Sequence, residues 1–243
     1  MKSIYVVARR TLVLQSNLSL IRQLLWVKMY CPRNNMVLFF LLASILLFSC
    51  APSVQTPSQA EVISVFFTPA AQPWMSDLFA CANEQPVTLK VSVESPEITL
   101  RLGEPETLLS PAYQIDEEEI LIVVHQESPV QKLSLEEAQV LFAGLGDVQA
   151  QVWEFSSEED VQILFDQLVM KGRGVSSFAR LAASPQEMSD VLSSESTAVG
   201  ILPKHWVAGN VRAVYSAGMV PVLAITKLQP QSGVGKLISC LQK

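Results

Sequence analysis

Five consecutive apolar residues, Ile120-Leu121-Ile122-Val123-Val124, constrain this chain more than any other stretch. An unbroken, mostly β-branched run of that length suits a strand buried on both faces, which needs elements covering both sides of its sheet. The chain leaves the run through a polar loop, His125 to Lys132, that contains Ser128-Pro129. Ser134 then opens a short helix with Glu137 at its third position, the pattern of a capping box in which each residue satisfies a free backbone N–H of the other. Buried strand, exposed Ser-Pro loop and capped helix predict a crossing between two lobes of an α/β protein.

The flanking segments fit that reading. Val62 to Phe67 predicts a buried strand, and Thr68-Pro69 an N-cap followed by Pro at the first helical position, with a helix running through Trp74, Leu78 and Phe79 to about Cys81. A strand, short loop and helix start form a ligand cradle in open α/β sheets, and their N–H groups favour anions. Thr68 is therefore a candidate contact, or only the cap of its helix. Val87 to Val93 alternates as a strand. Glu97 to Pro105 predicts a short strand ending in a charged turn, so Arg101 and Glu104 are either ligand contacts or a solvated pair. The acidic run Asp116 to Glu119 is expected to be solvated.

Beyond the crossing, Val152 to Phe155 predicts a strand, and Ser156-Ser157-Glu158-Glu159-Asp160 the start of a helix. Serine followed by acids suits a positive helix start. Val161, Leu164, Phe165, Leu168 and Val169 line one face of that helix. Ser184 to Glu187 predicts a second capping box, and Ser196 to Pro203 a short buried strand. Val211 to Val214 runs back towards the first lobe. Val220 to Ile225 is strand-like, with Pro221 implying an edge or strand-start position, and Pro230 to Gln242 closes the chain as a helix.

The N-terminus reads as an export signal. Met36 to Phe48 is 13 uncharged residues, short for a membrane-spanning helix and suited to a signal-peptide core, with Lys28 and Arg33 before it. Ser49-Cys50 directly after that core resembles the bacterial lipobox, which would make Cys50 the lipidated mature N-terminus; a plain membrane anchor is the alternative. A Pro/Ser/Gln tether, 51–60, follows. Residues 1–28 lie upstream of an already sufficient signal, and a start at Met29 would give a better-proportioned one.

Six of the 17 basic residues and none of the 23 acidic ones lie in residues 1–49, so the remainder carries 11 basic against 23 acidic, a formal charge of −12. Such a body repels nucleic acid. Only His125 and His205 are present and no Cys/His cluster has metal-ligand spacing, so no metal or cofactor is expected. The mature cysteines would be Cys50, Cys81 and Cys240; with Cys50 lipidated, Cys81 and Cys240 remain as a pair in an oxidising compartment, either bridged or as two free thiols.

The stretch ILIVVHQESPVQKLSLEEAQVLFAG resembles the central signature of the phosphate-type, type II periplasmic solute-binding proteins of ABC transporters. Gln186-Glu187-Met188, Ala198 to Pro203 and Val62 to Pro73 add to the resemblance, which covers about residues 61–225. It implies an α/β fold of two lobes joined by crossing strands with a ligand cleft between them, here residues 61–122 plus 215–243 as lobe 1 and 123–214 as lobe 2. It also implies a small, anionic solute, an ABC permease as partner, a membrane anchor through lipid, and a monomer. Carried over by position, Thr68, Ser95, Arg101, Ser156 and Ser157 would line the cleft.

The departures matter as much. The family's phosphate site has an Arg and a Ser-Gly-Thr at the helix start of lobe 2, where this chain has Glu154-Phe155-Ser156-Ser157-Glu158-Glu159-Asp160. Phosphate would meet carboxylates where the family supplies donors, so its dehydration would be poorly offset. Two functions follow: a surface-tethered lipoprotein that captures a small solute other than phosphate by cleft closure, or a binding-protein-like sensor or interaction module that has left transport. An enzymatic reading finds no support, because neither Ser156 nor Ser157 sits in a Gly-x-Ser-x-Gly elbow.

Overall fold

Two long strands carry the sheet. A computed structural model describes residues 60–146 and 149–243; the signal segment, Cys50 and tether residues 51–59 lie outside the described residues. β4 (Ala112–His125) and β8 (Val211–Thr226) run antiparallel and pair from Ala112↔Ile225 to His125↔Val211. Around them stand β1 (Glu61–Phe67), β2 (Val87–Val91), β3 (Ile98–Leu102), β5 (Gln151–Glu154), β6 (Arg180–Leu181) and β7 (Ala198–Pro203). The spatial order is β2-β1-β3-β8-β4-β7-β5-β6. One end of β8 pairs with β3 (Leu102↔Val222), and the opposite end of β4 pairs with β7 (Val124↔Val199). One sheet thus has a β1–β3 half and a β5–β7 half, joined through the same two strands.

The Ile120–Val124 run is buried on both faces, as its composition requires. Five helices cover the sheet: α1 (Met75–Asn83), α2 (Leu135–Phe142), α3 (Asp160–Phe165), α4 (Pro185–Ser194) and α5 (Ser232–Leu241). α2 begins with the expected capping box, Ser134 accepting from Glu137 N and Glu137 accepting from Ser134 N. At α4, Ser184 accepts from Glu187 N, but the Glu187 carboxylate reaches back to Ala183 N, so the cap is shifted by one residue. Gly200 lets α4 lie close to β7: a Cβ there would stand 2.4 Å from Met188 Sδ.

Several local expectations are corrected. Pro221 lies inside β8, which is an interior strand. It is tolerated because β3 ends at Leu102; the Pro221 carbonyl accepts from Gly103 N, and on that side no ladder partner awaits the missing N–H. The helix after Thr68 starts as a 3₁₀ turn, Pro69–Trp74, before becoming α1. α3 passes into a π turn, Asp166–Met170, closed by left-handed Lys171. His125 is buried at the end of β4, not in the loop, with Nδ1 accepting from Glu127 N. In the acidic run Asp116 and Glu117 are exposed, but Glu118 is only 1% exposed.

The structure joins Cys81 of α1 to Cys240 of α5 by a disulfide across a sequence separation of 159. Both helices pack at the β2–β1 end of the sheet, where Gly233 lies against Ile63 and Val87. Closing so long a loop restricts the unfolded chain strongly, and the bond is expected to contribute about 3–5 kcal/mol. Denaturant unfolding of a Cys81→Ser/Cys240→Ser double variant should show a loss of that size, matched by the wild type after reduction.

Candidate functional site

The strands of both sheet halves end at one seam. β1 and β3 run towards it from one side, and β5 and β7 from the other. Thr68, directly after β1, has extended backbone that starts the 3₁₀ turn, but its side chain makes no cap hydrogen bond. Instead its hydroxyl donates to Asp160 Oδ2 at 2.6 Å, 92 residues away. The same oxygen accepts from the N–H of Leu102, the last residue of β3, at 2.9 Å. Oδ1 accepts from Val161 N at 2.9 Å. Asp160 is 2% exposed. Among the described residues no ion pair involves it. All three partners are donors, so Asp160 acts purely as an acceptor, and the short O–H···O contact is of charge-assisted length. A carboxylate of the β5–β7 half therefore takes the donors that the β1–β3 half presents.

Close packing accompanies the bridge. Gly103 has φ +65°, and a Cβ there would stand 2.5 Å from Leu164 of α3. A second set of contacts clasps the seam beside it. After β7, the 3₁₀ turn Lys204–Trp206 meets the 3₁₀ turn after β1: Trp206 Nε1 donates to the Ala70 carbonyl at 3.0 Å, and the rings of Trp74 and His205 lie 4.7 Å apart. His205 Nδ1 is 2.6 Å from Glu118 Oε2, which gives the buried acid its partner. Glu119 accepts from Ser216 at 2.7 Å and Lys204 at 3.1 Å, and these two hydrogen bonds hold its carboxyl below the ordinary range.

The other expected residues are placed as follows. Ser156 and Ser157 lie at the end of β5 in a depression of about 360 Å³, together with Glu154, Gln162, Asp166 and Arg173. Ser95 stands apart, in an exposed turn with φ 48°, held by Lys227 Nζ at 2.8 Å. Lys227 follows the end of β8 that pairs with the start of β3, so Ser95 is at the opposite end of that strand from Leu102. Arg101 alternates to the half-exposed face of β3 and its Nε donates to the Leu102 carbonyl at 3.4 Å; among the described residues it forms no ion pair with Asp160. Thr68 and Asp160 are thus brought together, Ser156 and Ser157 line the depression at the end of β5, and Ser95 stands apart from both. Asp160 itself was hidden in a run of acids whose local signal is indistinguishable from a solvated helix start.

The depression concentrates negative charge. Burial raises the Glu154 carboxyl, with Asp166 adding to the effect; burial likewise raises Asp166, against a hydrogen bond from Gln162 at 3.0 Å. Burial also raises Glu159, helped by Asp160 and Glu158.

No family model and no curated protein matches the sequence. Solved structures do. A protein described as a phosphate ABC transporter substrate-binding protein, from Clostridium perfringens and with bound phosphate, matches with TM-score 0.66 at 14% identity, over 74% of this chain and 93% of that one. An ABC-type phosphate transport receptor from Vibrio cholerae matches at 0.58 and 16%, over 74% and 93%. The CcmR regulatory domain of Synechocystis PCC6803, in complex with 2-PG, matches at 0.58 and 8%, over 75% and 96%. The chain has the α/β, type II periplasmic-binding-protein-like fold, which transport receptors and regulatory domains share.

Two outcomes test this site. Gly103→Ala places a Cβ against Leu164 at a left-handed position, and should destabilise by about 2 kcal/mol in denaturant titration. A raised carboxyl binds its proton more tightly in the folded protein. The stability that Glu154 and Asp166 contribute is therefore full below the ordinary carboxylate pKa of about 4 and is lost as pH rises through their raised values. Asp166→Asn keeps the acceptor for Gln162 and removes the charge. It should raise the melting temperature at pH 7, with the gain vanishing near pH 4; because both acids are partly solvated, the gain is small.

Proposed function

We propose that this chain is an exported, envelope-tethered protein with the architecture of the phosphate-type solute-binding lipoproteins, in which the anion seat between lobes is filled from within. It works as a binding-protein-like sensor or interaction module and not as a phosphate carrier. One observation carries this reading: Asp160 holds the Thr68 hydroxyl and the Leu102 N–H, the donors an anion would need. Export and lipid anchoring rest on Met36–Phe48 and Cys50, and the Cys81–Cys240 bridge is consistent with an oxidising compartment.

A second reading is solute capture by cleft closure, handed on to an ABC permease. It is favoured by the open depression at Ser156, Ser157 and Arg173, which would take a small solute beside the seam. In either reading the protein binds and does not catalyse.

Thermal unfolding with phosphate, sulfate, molybdate and small organic anions separates the readings. A ligand at 100 times its dissociation constant adds about 2.7 kcal/mol. Phosphate, sulfate and molybdate should leave the wild-type transition unmoved. Strong stabilisation by phosphate, lost on Thr68→Ala, would overturn the proposal, and stabilisation by an organic solute would favour the second reading.

A further inference from the structure

We propose that Asp160 is an internal ligand, and that removing its side chain leaves a seat for a small monocarboxylate between the two halves of the sheet. The inference rests on the reading that the seam is filled from within. The seat is built by Thr68, directly after β1, and Leu102, at the end of β3, which converge on one carboxylate oxygen at 2.6 and 2.9 Å. The group they hold comes from the other half of the sheet and is 2% exposed. Two donors meeting on one buried oxygen make a preorganised oxyanion contact, which loses its acceptor when the side chain is cut away.

The surroundings select the charge and size of a replacement. Among the described residues no basic side chain pairs with Asp160, so the seat is satisfied by neutral donors and a single negative charge. Glu158 and Glu159 immediately precede it, and Glu159 is already burdened by burial and by the Asp160 charge. A dianion would meet added repulsion without a cation to offset it. Formate and acetate carry the same functional group and the same single charge as the side chain they would replace. Asp160 is 2% exposed, so the space opened to a replacement is that of the deleted side chain.

The test compares wild type, Asp160→Gly and Asp160→Gly/Thr68→Val by thermal unfolding. Formate, acetate and sulfate are titrated against sodium chloride of equal ionic strength. The wild type should not respond. Asp160→Gly should melt lower and recover saturably with formate or acetate, and not with sulfate. Adding Thr68→Val should weaken the apparent affinity at least tenfold. Loss of stability with no recovery by either carboxylate would overturn the seat, leaving Asp160 as a structural bridge. Should Asp160→Gly fail to fold, Asp160→Ala opens the same space with less backbone freedom; it should recover with formate and not with sulfate, and absent recovery would equally overturn the proposal. Phosphate binding by the wild type would sink the functional reading, whereas absent rescue in the variant sinks the seat alone.

Discussion

Burying a carboxylate without a cation is costly unless its lone pairs are met by donors. Asp160 meets that condition only when the two halves of the sheet are together, because Thr68 and Leu102 stand on one half and Asp160 on the other. The rest of the seam follows from this requirement. α3 must come close enough to deliver the carboxylate, and that approach brings Leu164 against Gly103, where a side chain would not fit. Gly103 directly follows β3, and its N–H turns to the Pro221 carbonyl, so the same residue accommodates the helix and the proline inside β8.

The clasp at Glu118, His205 and Trp206 repeats the logic with different chemistry. Glu118 is buried midway along β4 and His205 stands on the turn after β7, so their contact lies where β7 ends beside the middle of β4. Trp206 and Trp74 add ring surface and a hydrogen bond to the turn after β1. Cleft closure in two-lobed binding proteins is a hinge motion at a few residues of the crossing segments. Here both the seam and the hinge-proximal turn are tied, and opening would have to break the two sets of contacts together.

Much of this fold was legible because its signals are local. The β-branched run Ile120–Val124, the Ser134–Glu137 box and the periodic face of Val161 to Val169 each follow from residues within a few positions of one another. What was illegible depends on partners far along the chain. Thr68 looks like a cap because Thr-Pro is a cap signal, yet its acceptor is 92 residues away. Glu118 reads as solvated among acids, but His205 lies 87 residues on. Pro221 reads as an edge residue, since nothing nearby tells that β3 stops beside it. The Glu154–Asp160 run shows the error most clearly. Its charge reads locally as repulsion across an open cleft. One member of the run, Asp160, is instead buried and accepts from Thr68 and Leu102 of the other half of the sheet.

The fold alone does not choose between carrier and module, since phosphate receptors and a regulatory domain match it about equally well. The internal carboxylate is what favours the proposed module. A carrier needs its open and closed states close in free energy, so that the solute's differential affinity can shift the population. A tethered ligand competes with any free one at an effective concentration on the order of millimolar or more. A solute entering this seam would have to displace Asp160 and leave a buried charge to be resolvated, with Glu158 and Glu159 beside it. Under the proposed function, that combination disfavours the scavenging of a dilute anion and favours a seam that stays shut.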